Sequence, residues 1–233
     1  MGLRPSDPWR CFVDKIMVCG IEVSIEESER YLQINDIDPA MLSRVYEALG
    51  AKYPGFELWL CYKKIVPPED ALKELGAELL DDCVHLRLVP PDFTRGGIPE
   101  NISLLELEDF EDFAAVHERL VTATDPDFYW TGRRIREAWD IWRIFVIRDN
   151  NEIIDYVLMQ TPKARDYGEI FALEGPKANQ NRGLLTAACA CAFEMGNDQV
   201  IYMVDADDNH QYELAQGLGF KAVGFYKGYK MVL

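Results

Sequence analysis

Histidine is scarce in this chain, with only His85, His117 and His210 among 233 residues. The six cysteines, at 11, 19, 61, 83, 189 and 191, form no C-x-x-C pair and have no histidine at zinc spacing. That ligand count argues against a structural zinc site, and no metal is expected. Basic residues are also in deficit, 24 Lys and Arg against 40 Asp and Glu, for a formal net charge of −16. Nucleic-acid binding needs a basic surface, so that partner class falls away, while an excess of carboxylates suits cationic ligands such as amines. No apolar run approaches the roughly 18 residues of a membrane span, and no charged-then-apolar leader opens the chain. The expectation is a soluble, cytoplasmic protein without a membrane partner, its cysteines reduced and buried as small hydrophobes. Met1–Ser6 formally fits an N-myristoylation pattern, but nothing polybasic follows to add a second membrane signal. Neither a Gly-Lys-Ser/Thr phosphate loop nor a G-x-G-x-x-G turn occurs.

What the chain has is core material: 48% hydrophobic and 12% aromatic residues, enough to exclude disorder. The strongest break is Pro90–Pro99, where three prolines and two glycines interrupt both helix and central strand. It divides the expected domains, residues 1–95 and 100–233. Ahead of it, the pattern predicts a strand-like piece at Lys15–Ile21, an acidic helix-like piece at Glu26–Gln33 and a helix at Pro39–Leu49. A strand at Glu57–Tyr62, a helix at Glu69–Leu75 and a strand at Cys83–Val89 follow. Behind it, the pattern predicts a strand at Ile102–Leu107, a helix from Asp109 to Leu120, an aromatic loop at Asp125–Trp130 and a helix at Arg133–Trp142. Three strands come next, Arg143–Arg148, Ile153–Gln160 and Gly168–Leu173, with Asp149–Glu152 as a hairpin turn. A helix from the Ala178 region, a strand at Gln199–Asp205, a helix at Asn209–Leu218 stopped by Gly219, and a final strand or pair of strands at Lys221–Leu233 complete the order.

The stretch from Ala178 to Gly196 is distinctive. A polar loop with one glycine opens into a helix whose early turns, Ala187 to Ala192, are nearly all small. Small residues admit close approach, either of a sheet or of a ligand at the helix N-terminus, where amides without intrahelical partners attract anions. Gln180 and Arg182 can add donors to a phosphate oxygen.

The element order after Ile102, with Gln180-Asn-Arg-Gly183 between a strand and a small-residue helix, resembles the GNAT N-acetyltransferase superfamily. So does Asp207–Phe220, which looks like that family's last helix ending in Leu-Gly-Phe. The resemblance covers about residues 100–233. It implies an α/β (α+β) fold, a mixed, mainly antiparallel sheet flanked by helices, with a smaller N-terminal α/β domain. Met41–Val89 looks like a degenerate copy of the same fold's second half. Leu185 departs from the family's Gln/Arg-x-x-Gly-x-Gly/Ala pattern, where a second small residue is usual. The implied activity is acetyl transfer from acetyl-CoA to an amine. In that resemblance the amides of Asn181, Arg182, Gly183, Leu184, Leu185 and Thr186 hold the pyrophosphate, with Gln180 beside them. Backbone groups near Leu173 and Glu174 pair with the pantetheine arm, and Asn209 contacts the cofactor from the last helix.

Amine acylation needs a base for the ammonium proton, and an acid helps the thiolate leave. Glu169 and Glu174 lie on the strand bordering the cofactor and by alternation face opposite sides. Glu174, where the strand leaves for the loop, is the candidate base. The family's usual tyrosine position is Ala215 here, so Tyr212, one turn earlier, is the candidate acid, with Tyr226, Tyr229 or water as alternatives. Asp125, Tyr129, Trp130 and Arg133 belong to the acceptor side. Cys189 and Cys191 read as core rather than as acyl carriers. The rival reading is a non-catalytic acyl-CoA-binding or protein-contact module; the acceptor, and whether the assembly is a homodimer, stay open.

Overall fold

The computed structural model describes residues 14–122, 130–163, 165–175 and 178–233. By its internal contacts the chain forms two compact units, 1–83 with 224–233 and 84–223.

The first unit begins with a hairpin, β1 (Asp14–Val18) and β2 (Ile21–Glu26), turned by Cys19 and Gly20, both at positive φ. The expected single strand at Lys15–Ile21 is therefore broken in two. The expected acidic helix at Glu26–Gln33 is a single 3-10 turn, Glu27–Glu29, ended by left-handed Arg30, and then a strand, β3 (Tyr31–Asn35). Tyr31, Leu32 and Ile34 are buried in that strand, so burial in a sheet overrides the helical appearance of the glutamates. Helix α1 (Pro39–Lys52) is capped by Asp38, whose side chain accepts from the Ala40 amide at 2.9 Å, with Pro39 pre-set for the first turn. It packs Leu42, Val45 and Leu49 on the sheet. Strand β4 (Glu57–Tyr62) follows, then the short α2 (Glu69–Glu74) and β5 (Glu78–Leu88). Beyond β4 lies the last strand of the chain, β11 (Lys221–Val232), antiparallel to β4 with Tyr229 opposite Leu60. The strand order is β1-β2-β3-β4-β11.

In the second unit β6 (Ile102–Leu104) is an edge strand, shorter than the run to Leu107 expected from hydropathy. Helix α3 (Phe110–His117) continues into a π-helical turn through Thr122. Helix α4 (Gly132–Glu137) stops well before Trp142, and a 3-10 turn at Trp139–Ile141 leads into β7 (Trp142–Asp149). The β7–β8 hairpin turns at Asn150 and Asn151, both left-handed as the turn requires, into β8 (Glu152–Gln160). Strand β9 (Tyr167–Glu174), helix α5 (Ala178–Glu194), strand β10 (Gln199–Asp205) and helix α6 (Asn209–Gly217) follow. The order β5-β10-β9-β8-β7-β6 makes a mixed, mainly antiparallel sheet in which β9 and β10 are parallel. Helix α5 lies on one face, over Met159, Ile170 and Val200, and α3 on the other, over Tyr156.

The proline-rich segment 90–99 does not hang free between units. It is strapped onto α5 and α6: the Thr94 amide donates to Leu218 O at 3.0 Å, Lys221 Nζ to Asp92 Oδ2 at 2.7 Å, and Phe93 packs on Phe193. Among the described residues no helix is long and apolar enough to cross a membrane.

Candidate functional site

Two irregularities in β9 shape the site. Parallel pairing with β10 runs from Tyr167–Gln199 to Ile170–Tyr202 and stops. Phe171–Glu174 and Met203–Asp205 are still extended, so the strands part and leave the β10-facing edge of β9 outside the ladder. A β-bulge on the other side, between Leu158–Ala172 and Met159–Ile170, makes Phe171 an extra residue. The bulge reverses the alternation beyond it. Glu169 pairs with Gln160 and Glu174 with Tyr156, and these partners stand four residues apart on β8, so both glutamates face the α3 side. The expectation that Glu169 and Glu174 point to opposite faces fails for that reason.

The two carboxylates differ in surroundings. Glu169 is buried and meets Arg165 Nη1 at 3.6 Å. Glu174 is pushed up to about 7, first by burial and then by the charges of Asp205 and Asp208 at the far rim of the parting. A carboxyl poised there exchanges a proton near neutral pH. Its strand neighbour Tyr156 is fully buried, and the Tyr156 hydroxyl lies 2.7 Å from His117 Nδ1. Sequence reasoning missed this pair; His117 on the apolar face of α3 was its only trace.

The polar stretch expected to be a loop ahead of α5 is already helical. Helix α5 starts at Ala178, so Arg182, Gly183, Leu184, Leu185 and Thr186 lie inside the helical ladder, and the amides left over are those of the first four residues, 178–181. Leu184, Leu185 and Thr186 are completely buried, and the Thr186 hydroxyl donates to Arg182 O at 2.7 Å. Arg182 Nη2 donates to Gly217 O at 3.1 Å, at the C-terminal end of α6. Gly183 does permit a close approach, but of the chain's own Pro99 and Ile102, each with an atom 2.7 Å from where a β-carbon would stand. Asn181 is buried and its Oδ1 has no hydrogen-bond partner among the described residues. Gln180 lies in the first turn of α5.

Leu173 is buried against α5. Asn209 is exposed on the first turn of α6, which Asp208 caps by accepting from the Gln211 amide at 2.9 Å. Tyr212 is half-buried on α6 and its hydroxyl accepts from Gln216 Nε2 at 3.0 Å. Ala215, at the position where the family resemblance expects a tyrosine, is fully buried. Tyr202, the last residue of β10 paired with β9, is buried and donates its hydroxyl proton to Gln211 Oε1. Trp130 belongs to a ring cluster with Trp142 and Phe171, while Arg133 is exposed beside Glu137. Asp125 and Tyr129 lie outside the described residues. Cys189 is fully buried, which drives its thiol far above the ordinary range and fits a packing role.

The first unit repeats the order strand, helix, strand, helix, strand from β3 to β5, but β3 and β4 stay paired from Tyr31–Glu57 to Asn35–Cys61. There is no parting, and Asp38 already caps α1.

Neither a protein-family model nor a curated protein matches the sequence. Solved structures do. A conserved protein of unknown function from Staphylococcus epidermidis superposes with TM-score 0.67 at 11% identity, over 94% of each chain. A GCN5-related N-acetyltransferase from Kribbella flavida gives 0.60 at 14%, over 94% of this chain and 89% of that one. A tandem GNAT protein from the clavulanic acid biosynthesis pathway gives 0.59 at 12%, over 91% and 78%. The chain has the GNAT fold. At these identities the likeness is one of architecture.

Proposed function

We propose that the protein is an acetyl-CoA-dependent N-acetyltransferase acting on a small amine. The carrying observation is the parting of β9 and β10 with Glu174 on its α3-side face. The open edge of Phe171–Glu174 suits an amide-bearing pantetheine arm, which can add to it as a strand would. The first amides of α5, with the Asn181 side chain turned to present Nδ2, suit a pyrophosphate. Bound there, acetyl-CoA supplies a thioester carbonyl and a thiolate leaving group. Glu174 removes the proton of the incoming ammonium, for which a value of about 7 is well matched. Asp205 and Asp208 draw a cation toward the same rim and disfavour the negative charge of Glu174. Tyr212, whose hydroxyl accepts from Gln216 and keeps its own proton to give, is the α6-side candidate to protonate the thiolate. A thiol's pKa of about 8.5 makes that help modest.

One observation favours a second reading, an acyl-CoA-binding module without turnover. The helical ladder uses the amides of 182–186, leaving fewer donors for the pyrophosphate than the sequence motif implied. Thermal stabilisation by acetyl-CoA, followed by thiol release with pooled amines, separates the readings. Stabilisation with turnover supports the enzyme, stabilisation alone the module, and neither overturns both.

A further inference from the structure

The His117–Tyr156 pair has a determined proton arrangement. His117 Nε2 lies 2.7 Å from Trp130 O, a backbone carbonyl that can only accept. Nε2 therefore carries the proton. Burial lowers the His117 pKa and so favours the neutral ring, in which Nδ1 is the acceptor. The Tyr156 hydroxyl, 2.7 Å away, must then donate to Nδ1. Phe113 stacks on the imidazole at 5.4 Å and meets the Tyr156 ring edge-on at 5.1 Å, holding both in place. Tyr156 is also the cross-strand partner of Glu174, on the same face of the sheet.

We propose that His117 is a positioning residue that takes the Tyr156 proton and so prevents that hydroxyl from donating to the Glu174 carboxylate. The proposal rests on the reading of Glu174 as the base. A hydroxyl donated to a carboxylate stabilises its charged form and weakens it as a base. Among the described residues, the other charged groups near Glu174 are Asp205 on β10 and Asp208 ahead of α6, with Asp155 of β8 beside Gly175; near His117 there is Glu118. None of these donates a proton in ionised form, so among the described residues Tyr156 is the donor that matters.

The test is a carboxyl NMR titration of Glu174 in protein with labelled glutamate, the signal assigned by its loss in Glu174→Gln. His117→Leu releases the hydroxyl and should lower the midpoint by about one pH unit or more. His117→Asn, whose Oδ1 can accept the proton, should stay near wild type. Tyr156→Phe should leave the midpoint high, and adding it to His117→Leu should restore it. An unshifted midpoint in His117→Leu, or the same shift with and without Tyr156, overturns the proposal. If His117→Leu does not fold, Tyr156→Phe decides: a midpoint raised by about a unit would mean the hydroxyl already serves Glu174. The acid limb of kcat/KM, where amines turn over, should follow the same pattern. A titration that behaves as stated without turnover on any amine upholds the pairing and sinks only the base assignment.

Discussion

A β-carbon at residue 183 would stand 2.7 Å from both Pro99 Cδ and Ile102 Cδ1. Pro99 ends the proline-rich strap and Ile102 opens β6, so there is little room to yield. Gly183→Val is therefore expected to cost about 1–3 kcal/mol in urea unfolding, through overpacking. An unchanged midpoint would mean that the strap moves freely. Glu174 carries a prediction of a different kind. Its folded-state value of about 7 lies above its ordinary 4.5, so the fold favours the protonated form. Its contribution to stability is complete below about pH 4.5 and is lost as pH rises through about 7, by up to roughly 3 kcal/mol. Glu174→Gln, neutral throughout, should melt above wild type at about pH 8 and level with it near pH 4. The same variant should lower amine acetylation by about a hundredfold or more while acetyl-CoA still stabilises it. Equal melting at both pH values would place the carboxylate in water, and unchanged turnover would remove it from the chemistry.

At the scale of elements, helix α5 answers why so many small residues follow one another. Its buried face rests directly on the sheet: a β-carbon at Gly168 of β9 would lie 3.2 Å from Ala192 Cβ. Bulk at that contact has nowhere to go, and Ala192→Leu should cost about 1–3 kcal/mol by the same overpacking. Retained stability would show that α5 can lift from β9. The closeness of this contact was legible in the run Ala187–Ala192, because only a near neighbour makes small side chains useful at every turn. The hairpin at Asp149–Glu152, strand β10 and the stop of α6 before Gly219 were legible too, since each is set by local turn chemistry or an unbroken apolar run. The bulge at Phe171 was not, because nothing local distinguishes an extra residue in an apolar strand. It nevertheless decides which way Glu174 points. Strand β3 was hidden by the glutamates preceding it, and the start of α5 by a polar stretch that reads equally well as loop or first turn.

At the scale of the whole chain, sequence order and packing unit do not coincide. The division between units falls within β5 and again within β11, after Val223. Pro90–Pro99, the evident break in the sequence, is held by Leu218 and Lys221 within the second unit. Strand β11 then supplies Tyr229 and Met231 to the core of the first unit, beside Leu58 and Leu60 of β4. Burying two such side chains contributes about 3–6 kcal/mol, comparable to the whole net stability of a small domain. We propose on this basis that the N-terminal unit cannot fold without the chain's last residues. A fragment of residues 1–95 should lack cooperative unfolding and bind a hydrophobic dye. Adding residues 224–233 as a separate peptide or by a short fusion should restore a cooperative transition. Full-length protein truncated after Val223 should lose the same unit, seen as loss of amide-exchange protection in β4, while β7–β9 stay protected. A well-folded 1–95 fragment would show that β11 only decorates the first unit, and that the division read from the prolines is the one the chain obeys.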